Sequence, residues 1–219
     1  MLAAEIQAGD VLLCFQDKKI DPTGAIITGV TKSDYTHAAI CVGEDLVVEA
    51  LVMQGVVLTK ATDLAARYDH IAVFRQPDAW SPRRVEVLRA FAESISASGT
   101  KYNLFGAVAF PWRQKVHQRT LKEQLEDYFN GLSPPRPATK GSYFCSELVA
   151  DCFVITGFID PSAAVLYKAE TLSPGQLGRD PTFGTFCGYV SAIHGYAVPA
   201  TDEFYGATTY AEIFGDSAQ

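Results

Sequence analysis

Gly141-Ser142-Tyr143-Phe144-Cys145-Ser146-Glu147-Leu148-Val149-Ala150 carries a cysteine into the start of a helical pattern. Cys145, Leu148, Val149, Cys152 and Phe153 recur at the spacing of one helix face, which predicts a helix running from the cysteine towards Gly157. Ser142 is the expected N-cap and Gly157 the stop signal. A thiol in the first turn meets unpaired N–H groups and the positive end of the helix dipole, and both favour the thiolate. The thiolate is the nucleophilic form, so Cys145 reads as a candidate nucleophile. The competing reading is a small apolar residue on a buried helix face, the role expected of Cys152.

A cysteine nucleophile needs a base that shares its proton and a third group that orients the base. Upstream, short apolar runs separated by turn residues predict an antiparallel sheet: residues 10–15, 35–43, 46–50, 56–60 and 70–75. His37 stands near the start of the second run and is the best candidate base. Glu49 lies on the next strand, across a hairpin turn at Glu44-Asp45, close enough by cross-strand pairing to hold the His37 ring. Val47, Val48, Ala50 and Leu51 surround Glu49, and a carboxylate in so apolar a run needs a partner. His70 is the fallback base, with nothing comparable beside it. Read without function, His37 is a satisfied interior histidine, Glu49 a solvated edge charge, and His70 and His194 are surface residues.

The remaining pattern is helical in places. A short helix is expected over 61–68, an amphipathic one from Pro82 to near Gly99, and another over 115–130 closed by Asn130-Gly131. Ala107-Val108-Ala109-Phe110-Pro111-Trp112 reads as a core segment, or alternatively as an acyl-binding groove. Residues 20–30 read as a short helix or ordered loop, 133–137 as a rigid loop and 171–177 as a turn. Residues 183–190 read as a last strand, and the tail from Ala200 as an appendix.

With 219 residues, 48% hydrophobic and 20% charged, the chain can bury a core of its own, and a single domain spanning 1–219 is expected. The net charge of −7 and the lack of a Lys/Arg cluster argue against nucleic acid or an anionic membrane as the main partner. The five cysteines show no CxxC pair, so reduced thiols are expected and no metal site. The first residues lack the basic and apolar regions of a secretory signal peptide, and no apolar run reaches the length of a membrane span. Synthesis in the cytoplasm is therefore expected, with any export by a specialised secretion system.

The order of Gly9-Asp10-Val11-Leu12-Leu13, Tyr35-Thr36-His37-Ala38-Ala39-Ile40, Val48-Glu49-Ala50, Lys101-Tyr102-Asn103, Phe144-Cys145-Ser146-Glu147 and Ser173-Pro174-Gly175-Gln176-Leu177 resembles the circularly permuted NlpC/P60 superfamily. The nearest branch is the YiiX-like group of papain-like cysteine hydrolases. The resemblance runs from about residue 9 to residue 178, with an insertion at about 103–140 and an unmatched C-terminal extension from about 178. It implies an α+β fold, an antiparallel sheet packed against helices with the nucleophile at a helix N-terminus. It also implies Cys145 as nucleophile, His37 as base and Glu49 as the third polar residue, with no cofactor. Tyr35, two residues before the histidine and expected on its face of the strand, and Tyr102 are the implied substrate-binding residues. The implied reaction is cleavage of an amide through an acyl-enzyme, with peptidoglycan stem peptides as substrate. A secreted antibacterial effector of this kind implies an immunity protein or secretion-system partner. A lipid ester cleaved or transferred by the same triad is the second reading, and an inert binding protein on the same fold the third.

Overall fold

The computed structural model of the chain describes residues 1–17, 33–77, 80–132, 140–160 and 168–215. The expected features at 20–30 and 133–137 lie outside those residues. Six strands form one antiparallel sheet: β1 (Val11–Phe15), β2 (Tyr35–Gly43), β3 (Leu46–Leu51), β4 (Gly55–Lys60), β5 (His70–Arg75) and β8 (Thr185–Val190). Their order across the sheet is β4-β3-β2-β1-β5-β8. Strand alternation divides the apolar residues between two faces. Leu12, Cys14, Ala39, Cys41, Val47, Ile71 and Val73 pack with α1 (Ala61–Ala66). Leu13, Ala38, Ile40, Val48, Ala72 and Phe74 pack on the other face against α2 (Pro82–Ala97) and α4 (Cys145–Ile155), through Leu88, Phe91, Leu148, Val149 and Phe153. The chain is thus α+β, an antiparallel sheet covered by helices.

The β2–β3 turn has the predicted two-residue form. Glu44 and Asp45 both take positive φ, 54° and 59°, which matches the twist of a tight hairpin. Along the chain between α2 and α4 come β6 (Lys101–Tyr102) and β7 (Ser142–Tyr143), a short parallel pair, and α3 (Leu104–Phe129).

Several sequence-based expectations are corrected here. The helix expected over 115–130 begins at Leu104, where the Asn103 side chain accepts from the Gly106 N–H at 2.8 Å. It continues through Pro111, so 107–112 is helix, and Trp112 is 69% exposed rather than core. Ser142 does not cap the cysteine helix, because β7 claims it. The N-cap position falls to Phe144, whose N–H donates to the Glu147 carboxylate at 3.2 Å. Residues 171–177 are not a simple turn either. Ser173 and Gln176 form a capping box that opens α5 (Pro174–Arg179). The tail is integrated, since Asp202, Phe204 and Tyr210 are buried before and within α6 (Tyr210–Phe214). Among the described residues, no helix is long and apolar enough to cross a membrane.

Candidate active site

The β2–β3 ladder pairs Ala39 with Glu49, and no partner is paired beyond it towards His37 among the described residues. His37 and Glu49 are therefore diagonal neighbours on one face, and both side chains turn to each other. His37 Nε2 donates to Glu49 Oε2 at 2.9 Å, with Glu49 wholly buried and His37 7% exposed. With Nε2 occupied, Nδ1 is the nitrogen left for the thiol.

Cys145 arrives on the first turn of α4, 5% exposed. The His37 side chain and the backbone N–H groups of Ala38 and Ser146 lie around its sulfur. The Ala38 N–H is available because it lies past the last β2–β3 pair. Burial works against charge at Cys145, but the His37 contact and the two amides outweigh it and lower the thiol from its ordinary range. Burial likewise opposes charge on His37, while hydrogen bonds to Cys145 and Glu49 hold the ring at about 9. Burial opposes the Glu49 carboxylate too; hydrogen bonds from His37 and Thr59 and the Arg67 charge hold it at about 2. Each of the three shifts favours the charged form of its group.

The segment leading to Cys145 is tied down from several sides. Lys140 Nζ lies 2.8 Å from Glu147 Oε1 and 3.2 Å from Asp151 Oδ2. The Ser146 hydroxyl donates to the Leu172 carbonyl at 2.7 Å. The β6–β7 pair sets Tyr102 beside Tyr143, and the Asn103 N–H donates to the Tyr143 carbonyl at 2.8 Å. Tyr102 is consequently close to the thiol. Burial and the negative charge at Cys145 raise its phenol well above the usual tyrosine range.

Tyr35 is placed elsewhere. The β1–β2 register slips between Cys14 and Phe15, so Cys14 faces His37 while Phe15 faces Tyr35. That irregularity moves Tyr35 off the His37 face and into the other core, correcting the same-face expectation. Its hydroxyl donates to Asp202 Oδ2 at 2.9 Å. His70 is likewise not short of partners. Its Nε2 donates to Asp202 Oδ2 at 3.0 Å, its Nδ1 is 3.1 Å from the Tyr196 hydroxyl, and its ring stacks on Phe15. The Tyr189 hydroxyl also donates to Asp202.

Sequence reading missed Arg67, Tyr68 and Thr59. A buried carboxylate with one partner on one oxygen leaves the other oxygen unexplained, and that question was the available signal.

Comparison with known proteins adds a family. The family model for permuted papain-like amidase enzymes, the YaeF/YiiX or C92 family, matches residues 5–109. Over that stretch the chain is similar to this permuted papain-like family. The matched stretch holds His37 and Glu49 and ends before Cys145, which the geometry above brings to them. The protein of Escherichia coli strain K12 named "Probable lipoprotein peptidase YaeF" is 30% identical over 185 residues, 80% of this chain. That alignment spans 64% of the relative's own length. No solved structure matches the chain.

Proposed function

We propose that this permuted papain-like chain is a cysteine hydrolase that cleaves an amide through an acyl-enzyme on Cys145. The observation that carries the reading is the Cys145 sulfur, held by His37 and two backbone amides while Glu49 holds the far side of the ring. The thiolate attacks the carbonyl carbon, and the Cys145 N–H, an unpaired first-turn donor by its position, receives the oxyanion. Protonated His37 delivers its proton to the leaving amine as the C–N bond breaks. The neutral ring then takes a proton from water, whose oxygen attacks the thioester and releases the acid. Tyr102, close to the thiol, is the residue we propose to contact the substrate.

The substrate we propose is a peptidoglycan stem peptide, on the strength of the resemblance to NlpC/P60 hydrolases. The role that goes with it is an antibacterial effector delivered by a specialised secretion system. The test is a mass-spectrometric comparison of wild type and Cys145→Ala, each incubated with purified sacculi and with a total bacterial lipid extract. New muropeptides released by the wild type alone are the expected result. Lysolipids or free fatty acids released by the wild type alone would replace the amide with a lipid ester. Equal products from both proteins would remove Cys145 from the chemistry.

A further inference from the structure

Glu49 uses both carboxylate oxygens. Oε2 accepts from His37, and Oε1 accepts from the Arg67 guanidinium. The next residue, Tyr68, lays its ring nearly parallel to the His37 imidazole, 8° between planes and 5.8 Å between centroids. Two consecutive residues therefore grip the two members of the dyad, one on the carboxylate and one on the ring face.

The mount beneath them is firm. Arg67 closes α1, its N–H donating to the Leu64 carbonyl at 3.1 Å. The Asp69 N–H donates to the Phe15 carbonyl at 3.1 Å, and the Ser191 hydroxyl donates to the Asp69 carbonyl at 2.7 Å. The turn is thus fastened to the ends of β1 and β8. Unlike the wholly buried Glu49, the Arg67 side chain is 36% exposed, so it links an interior carboxylate to the surface.

We propose that Arg67 and Tyr68 are positioning residues, with Arg67 supplying the charge that fixes Glu49, and through it His37, against the Cys145 thiol. The inference rests on the reading of Cys145, His37 and Glu49 as a hydrolase site. The other groups facing this cluster are Cys14 from β1, Thr59 from β4 and Tyr102 from β6, and each of these is neutral when protonated. Among the described residues, Arg67 is accordingly the arginine of this cluster, bound directly to Glu49. Removing a cation raises the pH at which a neighbouring acid ionises.

The experiment needs no substrate. Alkylation of Cys145 by iodoacetamide is followed against pH by peptide mass spectrometry, which separates it from Cys14, Cys41, Cys152 and Cys187. Wild type, Arg67→Gln and Arg67→Lys are compared, with thermal melting as the check on folding. Arg67→Met, which keeps the aliphatic stem, stands in if Arg67→Gln does not fold. The neutral variant is expected to raise the reactivity midpoint by roughly one pH unit, and Arg67→Lys to stay near the wild type. An unmoved midpoint in a folded neutral variant overturns the proposal, as does a Lys variant displaced as far as the neutral one. An ordinary thiol midpoint in the wild type would instead sink the functional reading, and this inference with it. Failure of sacculi or lipids as substrates leaves the alkylation result to stand alone.

Discussion

At the scale of single residues, the site depends on charges that burial opposes and neighbours restore. Glu49→Gln keeps an acceptor for the His37 ring but removes the charge that holds it protonated. It is expected to lower kcat/KM on the order of tenfold to a hundredfold and to move the alkaline limb of the pH profile downward. His37→Ala removes the proposed proton carrier and is expected to be more damaging, on the order of a thousandfold. In the wild type the alkaline limb should fall near the His37 value of about 9, read from initial rates across pH. The same groups bias stability. His37 is raised from 6.5, so its stabilisation is complete below 6.5 and lost as pH rises through about 9. Glu49 is lowered from 4.5, so its stabilisation is present above 4.5 and lost as pH falls towards 2. The melting temperature contributed by this pair is therefore expected to be highest between those two ordinary values. The meeting of Cys145, His37 and Glu49 was legible because a first-turn thiol, a strand histidine and a carboxylate among valines are each odd locally. Arg67 and Tyr68 were not, since an arginine and a tyrosine at the end of a short helix look like ordinary surface residues.

At the scale of elements, turns explain why so much of the sheet could be read from the chain. The strands β1 to β5 alternate between punctuating residues, and the structure keeps that spacing. Gly55 shows how tightly one turn is set. Its φ is +78°, and a Cβ there would sit 2.3 Å from the Thr100 carbonyl oxygen, which itself accepts from the Val56 N–H at 2.8 Å. Gly55→Ala is expected to destabilise the fold by about 2 kcal/mol or more, measured by urea unfolding. It should also slacken the β6–β7 pair that sets Tyr102 and Cys145. Elements were misread where local punctuation and tertiary pairing disagree. Pro111 and the apolar run around it read as a core segment apart from the helix expected over 115–130, yet α3 passes through. Ser142 has the chemistry of a cap, but pairing with Lys101 is a long-range contact that no local pattern announces.

At the scale of the whole molecule, two histidine–carboxylate pairs share one sheet and do different things. His37–Glu49 meets a thiol, whereas His70–Asp202 ties the C-terminal segment to β5. Asp202 is 7% exposed and accepts from His70, Tyr35, Tyr189 and the Phe204 N–H. Asp202→Ala leaves those donors facing a void and is expected to cost about 3 kcal/mol or more, measured by chemical denaturation. The tail beyond Ala200 lacked any periodicity that could have revealed this tie, because its value lies in partners more than a hundred positions earlier in the chain. The order of the two halves has a consequence of its own. A ribosome makes the histidine strands, β3 with its carboxylate and the Arg67 turn before residue 145 exists. The nascent chain can fold its sheet from the N-terminal side, with the base already in place and nothing for it to activate. In the proposed hydrolase, reactivity is thus withheld from the growing polypeptide until α4 leaves the exit tunnel and docks, a delay written into the order of the elements along the chain.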